Sequence, residues 1–176
     1  MSRIAIVGNI ASGKSSVEKI LEEKGYKVFD TDKIAHKILE NNSKVEKVFG
    51  TTDRKILAHI VFNNPEKMKE LENIIHPLVK EEILKIEEGF ISVPQLFEAG
   101  YESLFDKIIF VSTSEKLRLE RLMKRNNLSK KEATKRIKAQ LPEDEKIKKS
   151  DFVIKNEGNF EKLQIEVEKV LDALSL

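Results

Sequence analysis

Gly8, Gly13, Lys14 and Ser15 stand at the spacing G-x-x-x-x-G-K-S, the pattern of a phosphate-binding P-loop. Glycines at both ends let the backbone turn tightly, so that successive N–H groups converge on phosphate oxygens. Asn9, Ile10, Ala11 and Ser12 supply the backbone between them. A helix opening near Lys14 adds the positive end of its dipole. The Lys14 ammonium can reach the β- and γ-phosphates of ATP, and the Ser15 hydroxyl can sit on Mg²⁺. Ser16, an ordinary helix residue rather than a second metal ligand, completes the nucleotide-binding set.

Further polar groups fall where they could act on such a phosphate. Asp30 and Asp32 follow a short apolar run. Two carboxylates beside a triphosphate can hold Mg²⁺ or take a proton from an attacking hydroxyl. Asp30 and Thr31 also fit the plain role of a helix cap. Pro94, Gln95 and Glu98 follow a later apolar run; Glu98 could act on the metal through water or could be a surface residue. Arg118, Arg121 and Arg125 lie on one late helical stretch and Arg136 on the next. Arg121 and Arg125, four apart, share a helix face. Two arginine-bearing helices joined by Asn126-Asn127 have the form of a lid that brings guanidinium groups to a transferred phosphoryl group. Nearby Glu115, Glu120 and Glu132 fit an ordinary charged surface equally well. His76 reads as a helix-end residue, and His36 and His59 give no metal spacing with it.

These groups need a scaffold. Ile4–Val7 is a buried-strand run, and Lys14–Lys24 is helical with Val17, Ile20 and Leu21 on one face before Gly25. Tyr26–Phe29 is a second strand, so the opening is a βαβ unit and the sheet is parallel. Residues 33–88 read as helical almost throughout, with turns at Asn41-Asn42-Ser43 and Asn63-Asn64-Pro65. The last apolar stripe there is Met68, Leu71, Ile74 and Ile75; His76-Pro77 predicts a break after it, with a charged helix resuming through Lys85. Phe90–Val93, Lys107–Ser112 and Phe152–Ile154 complete five strands. Helices are expected over Ser114–Asn127, over Ser129–Gln140 with a Ser129/Glu132 capping box, and over Phe160–Leu174. Ligands of such sheets bind outside the carboxyl ends of the strands, where the loop, Asp30, Asp32 and Glu98 all fall.

The fold expected is therefore three-layered α/β, a five-stranded parallel sheet with helices on both faces. Residues 1–30, 89–112 and 141–176 form the nucleotide-binding core, 31–88 a helical acceptor lobe and 113–140 an arginine lid. The 176 residues suit one domain, 40% apolar and 35% charged. A net charge of +2 gives no general affinity for nucleic acid. The absence of cysteine excludes disulfides and thiolate chemistry. No stretch reads as a membrane span or leader, which makes a cytoplasmic protein, expected to be a monomer, the plain reading.

Beyond single motifs, the chain resembles the dephospho-coenzyme A kinase family of P-loop kinases, related to the nucleoside-monophosphate kinases. The likeness rests on Ile6-Val7-Gly8 with Ser12-Gly13-Lys14-Ser15, Asp30-x-Asp32 with Ile34-Ala35, Arg54-Lys55-x-Leu57 before Phe62-x-x-Pro65, and Ile75-His76-Pro77-Leu78. It continues through Val93-Pro94-x-Leu96-x-Glu98, Arg121-x-x-x-Arg125, Arg136-Ile137-x-x-Gln140 and Asp151-x-Val153-Ile154-x-Asn156-x-Gly158. It implies ATP-dependent, Mg²⁺-assisted phosphorylation of the ribose 3′-hydroxyl of dephospho-coenzyme A, the last step of coenzyme A synthesis. On that likeness Asp32 orients or deprotonates the hydroxyl, and Lys14, Arg121 and Arg136 stabilise the phosphoryl charge. Arg125 and Asn156 join the nucleotide site, and His76, Pro94 and Leu96 join the acceptor site. The family usually carries glycines where this chain has Asn9 and Ala11, and threonine at Ser16. Departures at Ala58 and Ile60 fall in the acceptor lobe and leave other small-molecule acceptors, or nucleotide binding without transfer, as rival readings.

Overall fold

The computed structural model describes residues 2–176. Its five strands are β1 (Arg3–Gly8), β2 (Val28–Asp30), β3 (Gly89–Ser92), β4 (Lys107–Ser112) and β5 (Phe152–Lys155), in the order β2-β3-β1-β4-β5. The sheet is parallel, with Ile4 beside Phe90 on one side of β1 and Ile6 beside Ile109 on the other. Parallel strands need crossovers, and helices supply them. β1 is central, so both faces of its Ile-Ala-Ile-Val run are covered: Ile4 is 4% exposed, while Ala5, Ile6 and Val7 are 0%. Ile4 and Ile6 join a core built with Val17, Ile20 and Leu21 of α1 (Lys14–Glu23) and Leu163, Val167, Val170 and Leu171 of α10 (Phe160–Ala173).

The chain divides into two compact units. One runs to Phe29 and resumes at Glu88–Leu176; it holds the sheet, apart from the terminal Asp30 of β2, and everything after it. The other is Asp30–Glu87. It comprises α2 (Thr31–Leu39), α3 (Ser43–Phe49), α4 (Arg54–Val61) and α5 (Pro65–Lys85), with the first three packed on α5. Asn42, Asp53 and Asn64 cap the helices that follow them, each accepting backbone N–H groups. The expected break at His76-Pro77 does not occur: α5 is continuous for 21 residues with Pro77 inside it. A proline there removes one helical hydrogen bond and costs about 3 kcal/mol in isolation. Ile74 and Ile75 before it, and Val79 and Ile83 after it, are buried on the packed face, so tertiary burial outweighs the local break.

After β3 come α6 (Leu96–Ala99) and β4, then α7 (Glu115–Asn126), α8 (Lys130–Lys138) and α9 (Glu143–Lys148). Helices α6 and α9 are too short to carry a periodic signal, and the sequence pattern does not announce them. β2 begins two residues later than expected; Tyr26 before it turns its ring edge-on to Phe90, 5.5 Å between centroids. Leu122, Ala133 and Ile137 form a separate small core between α7 and α8, with Ile10 and Ala11 of the loop after β1 packed against it. Among the described residues no helix is long and apolar enough to cross a membrane.

The capping box at α8 is present: Ser129 Oγ accepts from Glu132 N–H, and Glu132 accepts from Ser129 N–H at 2.9 Å. The Ser129 backbone N–H, and then its hydroxyl, hold the Glu132 carboxyl below its ordinary value. A depressed carboxyl stabilises the fold above its ordinary titration range and loses that contribution as pH falls through the folded value. Ser129→Ala is expected to cost about 1 kcal/mol of stability at neutral pH. The stability advantage of the parent over Glu132→Gln should be full at pH 7 and shrink on acidification, read from denaturant midpoints at several pH values.

Candidate functional site

The loop between β1 and α1 is shaped by two glycines that tolerate no side chain. A Cβ at Gly8 would stand 2.3 Å from Ser12 Oγ and 3.2 Å from Val111 O. Gly13 has φ +80°, and a Cβ there would meet Asn156 Nδ2 at 2.1 Å. Gly13 is the N-cap of α1; it offers no side-chain hydrogen bond, and the first turn holds no acidic residue. Ser16 N–H donates to Gly13 O at 3.0 Å; the N–H groups of Lys14 and Ser15 are thus left to an outside acceptor, and an anion is favoured by the dipole. Ala11 also adopts a left-handed conformation, φ 61°; the methyl group costs about 1 kcal/mol there.

Other polar groups of the loop are tied to the protein. Asn9 is 4% exposed. Its amide donates to Leu141 O at 3.1 Å, and its Oδ1 accepts from Lys146 Nζ at 2.6 Å. Ile10 N–H donates to Gln140 Oε1 at 2.6 Å. Ala11 O accepts from Arg121 Nη1 at 3.3 Å. Ser12 O accepts from both Thr113 Oγ1, 2.6 Å, and Asn156 Nδ2, 3.0 Å. Lys14, just inside α1, donates to Glu18 Oε1 one turn on, 2.6 Å, and to Ser92 Oγ at the end of β3. Ser15 is exposed and Ser16 half-buried at the same helix start.

The remaining sequence candidates separate clearly. Arg121 lies at the loop. Arg125 is exposed and donates to its neighbour Asn126, and Arg136 is exposed in the last turn of α8. Asn156 spends its side-chain amide on Ser12 O, and its Oδ1 accepts from Gly158 N–H. Leu96 is 0% exposed, in the core at the start of α6. Pro94 is half-buried at the end of β3. Glu98 pairs with Lys146 at 2.5 Å. Within the helical unit, Asp30 caps α2 by accepting from Asp32 N–H at 2.8 Å. Asp32 is exposed in the first turn of α2, and His76 is half-buried inside α5. Among the described residues no three His, Cys, Asp or Glu gather as a metal cage.

Sequence reasoning missed Lys146, Thr113 and Glu143. Lys146 sits in a run of acids and lysines that reads as a solvated face, yet it is 1% exposed. Glu143 receives the Thr113 N–H and the Ser112 hydroxyl. Burial pushes its carboxyl above the ordinary range, against the pull of the nearby Arg118 guanidinium.

A model of the family described as dephospho-CoA kinase matches residues 2–162. The chain belongs to the dephospho-CoA kinase family. A dephospho-CoA kinase of Fusobacterium nucleatum is 40% identical over 188 aligned positions, covering 97% of each chain. One from Bacillus cereus is 39% identical over 96% of this chain and 94% of its own. The solved dephospho-CoA kinase of Campylobacter jejuni superposes with TM-score 0.76 at 38% identity, covering 98% of this chain and 96% of that one. A shikimate kinase of Bacteroides thetaiotaomicron, 15% identical with TM-score 0.66, shares the fold. The family match spans both compact units, the helical Asp30–Glu87 unit included.

Gly13→Ala places a methyl against Asn156 at a left-handed φ. It is expected to abolish measurable nucleotide binding and to cost about 1–2 kcal/mol from the backbone conformation alone. Calorimetric titration with ATP and a thermal scan check both.

Proposed function

We propose that this protein transfers the γ-phosphoryl group of ATP to the ribose 3′-hydroxyl of dephospho-coenzyme A, giving coenzyme A and ADP. The observation that carries the donor side is the uncapped, acid-free start of α1 behind a left-handed Gly13. Family membership across both units supports the acceptor.

The family likeness and the chemistry of the side chains support the following roles. The α1 N–H groups cradle the phosphates, and Lys14 exchanges its pairing with Glu18 for phosphate oxygens, which carry more charge. Arg121, already at Ala11 O, and Arg136 from the lid stabilise charge that develops on the phosphoryl group. Arg125 and the turn around Asn156 border the nucleotide. Asp32 orients the hydroxyl or accepts its proton, and Asp30 fixes the helix start that carries Asp32. His76 and Pro94 border the acceptor. Ser15 offers a hard oxygen of the kind Mg²⁺ takes. With Ser15 among its holders, magnesium would supply positive charge to offset that of the phosphates. Glu98, paired with Lys146, reaches a metal only through water. The reading places the enzyme in the cytoplasm as a monomer, acting on small molecules rather than nucleic acid.

The deciding assay supplies ATP, Mg²⁺ and dephospho-coenzyme A, and follows ADP release and product mass. Coenzyme A is the expected product. ADP release only with a different acceptor, or ATP binding without transfer to any acceptor, overturns the reading. Lys14→Ala and Asp32→Asn are each expected to lower kcat about a hundredfold or more with the fold intact. Arg121→Ala should lose mainly kcat, since its guanidinium meets charge that grows in the transition state. Near-parental turnover in Asp32→Asn removes that residue from the chemistry.

A further inference from the structure

Lys146 is the most deeply buried charged side chain of the molecule and has no part in the reaction as derived above. Burying an ammonium is costly unless it is paired and hydrogen-bonded. Both conditions hold here. Nζ meets Glu98 Oε1 at 2.5 Å and Asn9 Oδ1 at 2.6 Å. Glu98 comes from α6, just after β3; Asn9 follows Gly8; Lys146 comes from α9, just after the lid helices. Three segments at the carboxyl ends of the sheet therefore close on one ammonium.

The arrangement fixes a direction for Asn9. Its oxygen faces a donor and its amide faces the carbonyl of Leu141, so only one amide orientation satisfies both partners. Next to it, Gln140 takes the Ile10 N–H, and Ile10 and Ala11 pack on the small core of α7 and α8. The stretch 140–146, where the chain leaves the lid, thus holds residues 9 and 10 by three hydrogen bonds. A purely structural ion pair would not need to spend its ammonium on the residue that opens the phosphate loop.

We propose that Lys146 is a positioning residue: pinned by Glu98, its buried ammonium sets Asn9 and hence the backbone of the phosphate loop, and with Gln140 and Leu141 couples that loop to the lid's exit. The proposal rests on the kinase reading for its purpose, but its test reads nucleotide binding without any acceptor. If dephospho-coenzyme A proves to be the wrong acceptor, the test still stands.

The experiment compares Lys146→Met, which keeps the stem and drops the charge, with Asn9→Ala, which keeps the Lys146–Glu98 pair. ATP affinity is measured by calorimetry with Mg²⁺ present, well below each variant's unfolding midpoint. Each single variant is expected to bind ATP about fivefold or more weakly, and the double variant no more weakly than the worse single, because both cut one connection. If Lys146→Met does not fold, Asn9→Ala decides by the same threshold. A folded Lys146→Met or an Asn9→Ala that binds ATP within about twofold of the parent, or losses that simply multiply in the double variant, overturn the proposal.

Discussion

The structure depends on how the polar groups of residues 9–13 are divided. A loop that cradles phosphate must leave some N–H groups for the ligand, and its other polar groups must be satisfied by the protein, since a buried unpaired one costs about 1–3 kcal/mol. Here each claimed group has a partner from later in the chain: Lys146 and Leu141 on Asn9 and Gln140 on Ile10, all from one stretch, then Arg121 on Ala11, and Thr113 and Asn156 on Ser12. Only a sheet with β1 in the middle can bring so many returning segments to one loop. The order β2-β3-β1-β4-β5 does that, with β3 and β4 on either side of β1.

The same division explains where buried charge collects. Arg118 and Lys146 are 6% and 1% exposed, and Glu143 is half-buried beside Arg118. Arg118 lies on α7, and Glu143 and Lys146 lie on α9. Lys146 is well paired, whereas Nε and Nη1 of Arg118 have no hydrogen-bond partner. Such sites are poor sources of stability compared with apolar packing.

Much of this was legible from the amino acids. The loop declared itself by spacing, and the strands by apolar runs that have no polar face, as a sheet covered on both sides requires. Ser129 and Glu132 gave their capping box by identity alone. The misses have physical causes. Pro77 reads as a break because the local rule is right in isolation; four buried isoleucine and valine positions on α5 override it. Lys146 is invisible because its charge suits solvent, and only the three-dimensional approach of Glu98 and Asn9 makes burial tolerable. Asn9 and Ala11, the departures from the family's glycines, were legible as differences but not as to their use. One is consumed by a buried network, and the other bears a left-handed φ and packs on the small core of α7 and α8.

The most direct test of this division is a titration of ¹⁵N-labelled protein with a non-hydrolysable ATP analogue and Mg²⁺, following the loop amides by NMR. The account requires large shifts at the Gly13, Lys14 and Ser15 amides, which face the ligand, and a small shift at Ile10, which stays on Gln140. An Ile10 amide that moves as far as Gly13 would mean that the Gln140 bond is surrendered to phosphate, and that the loop is not held from outside in the way described.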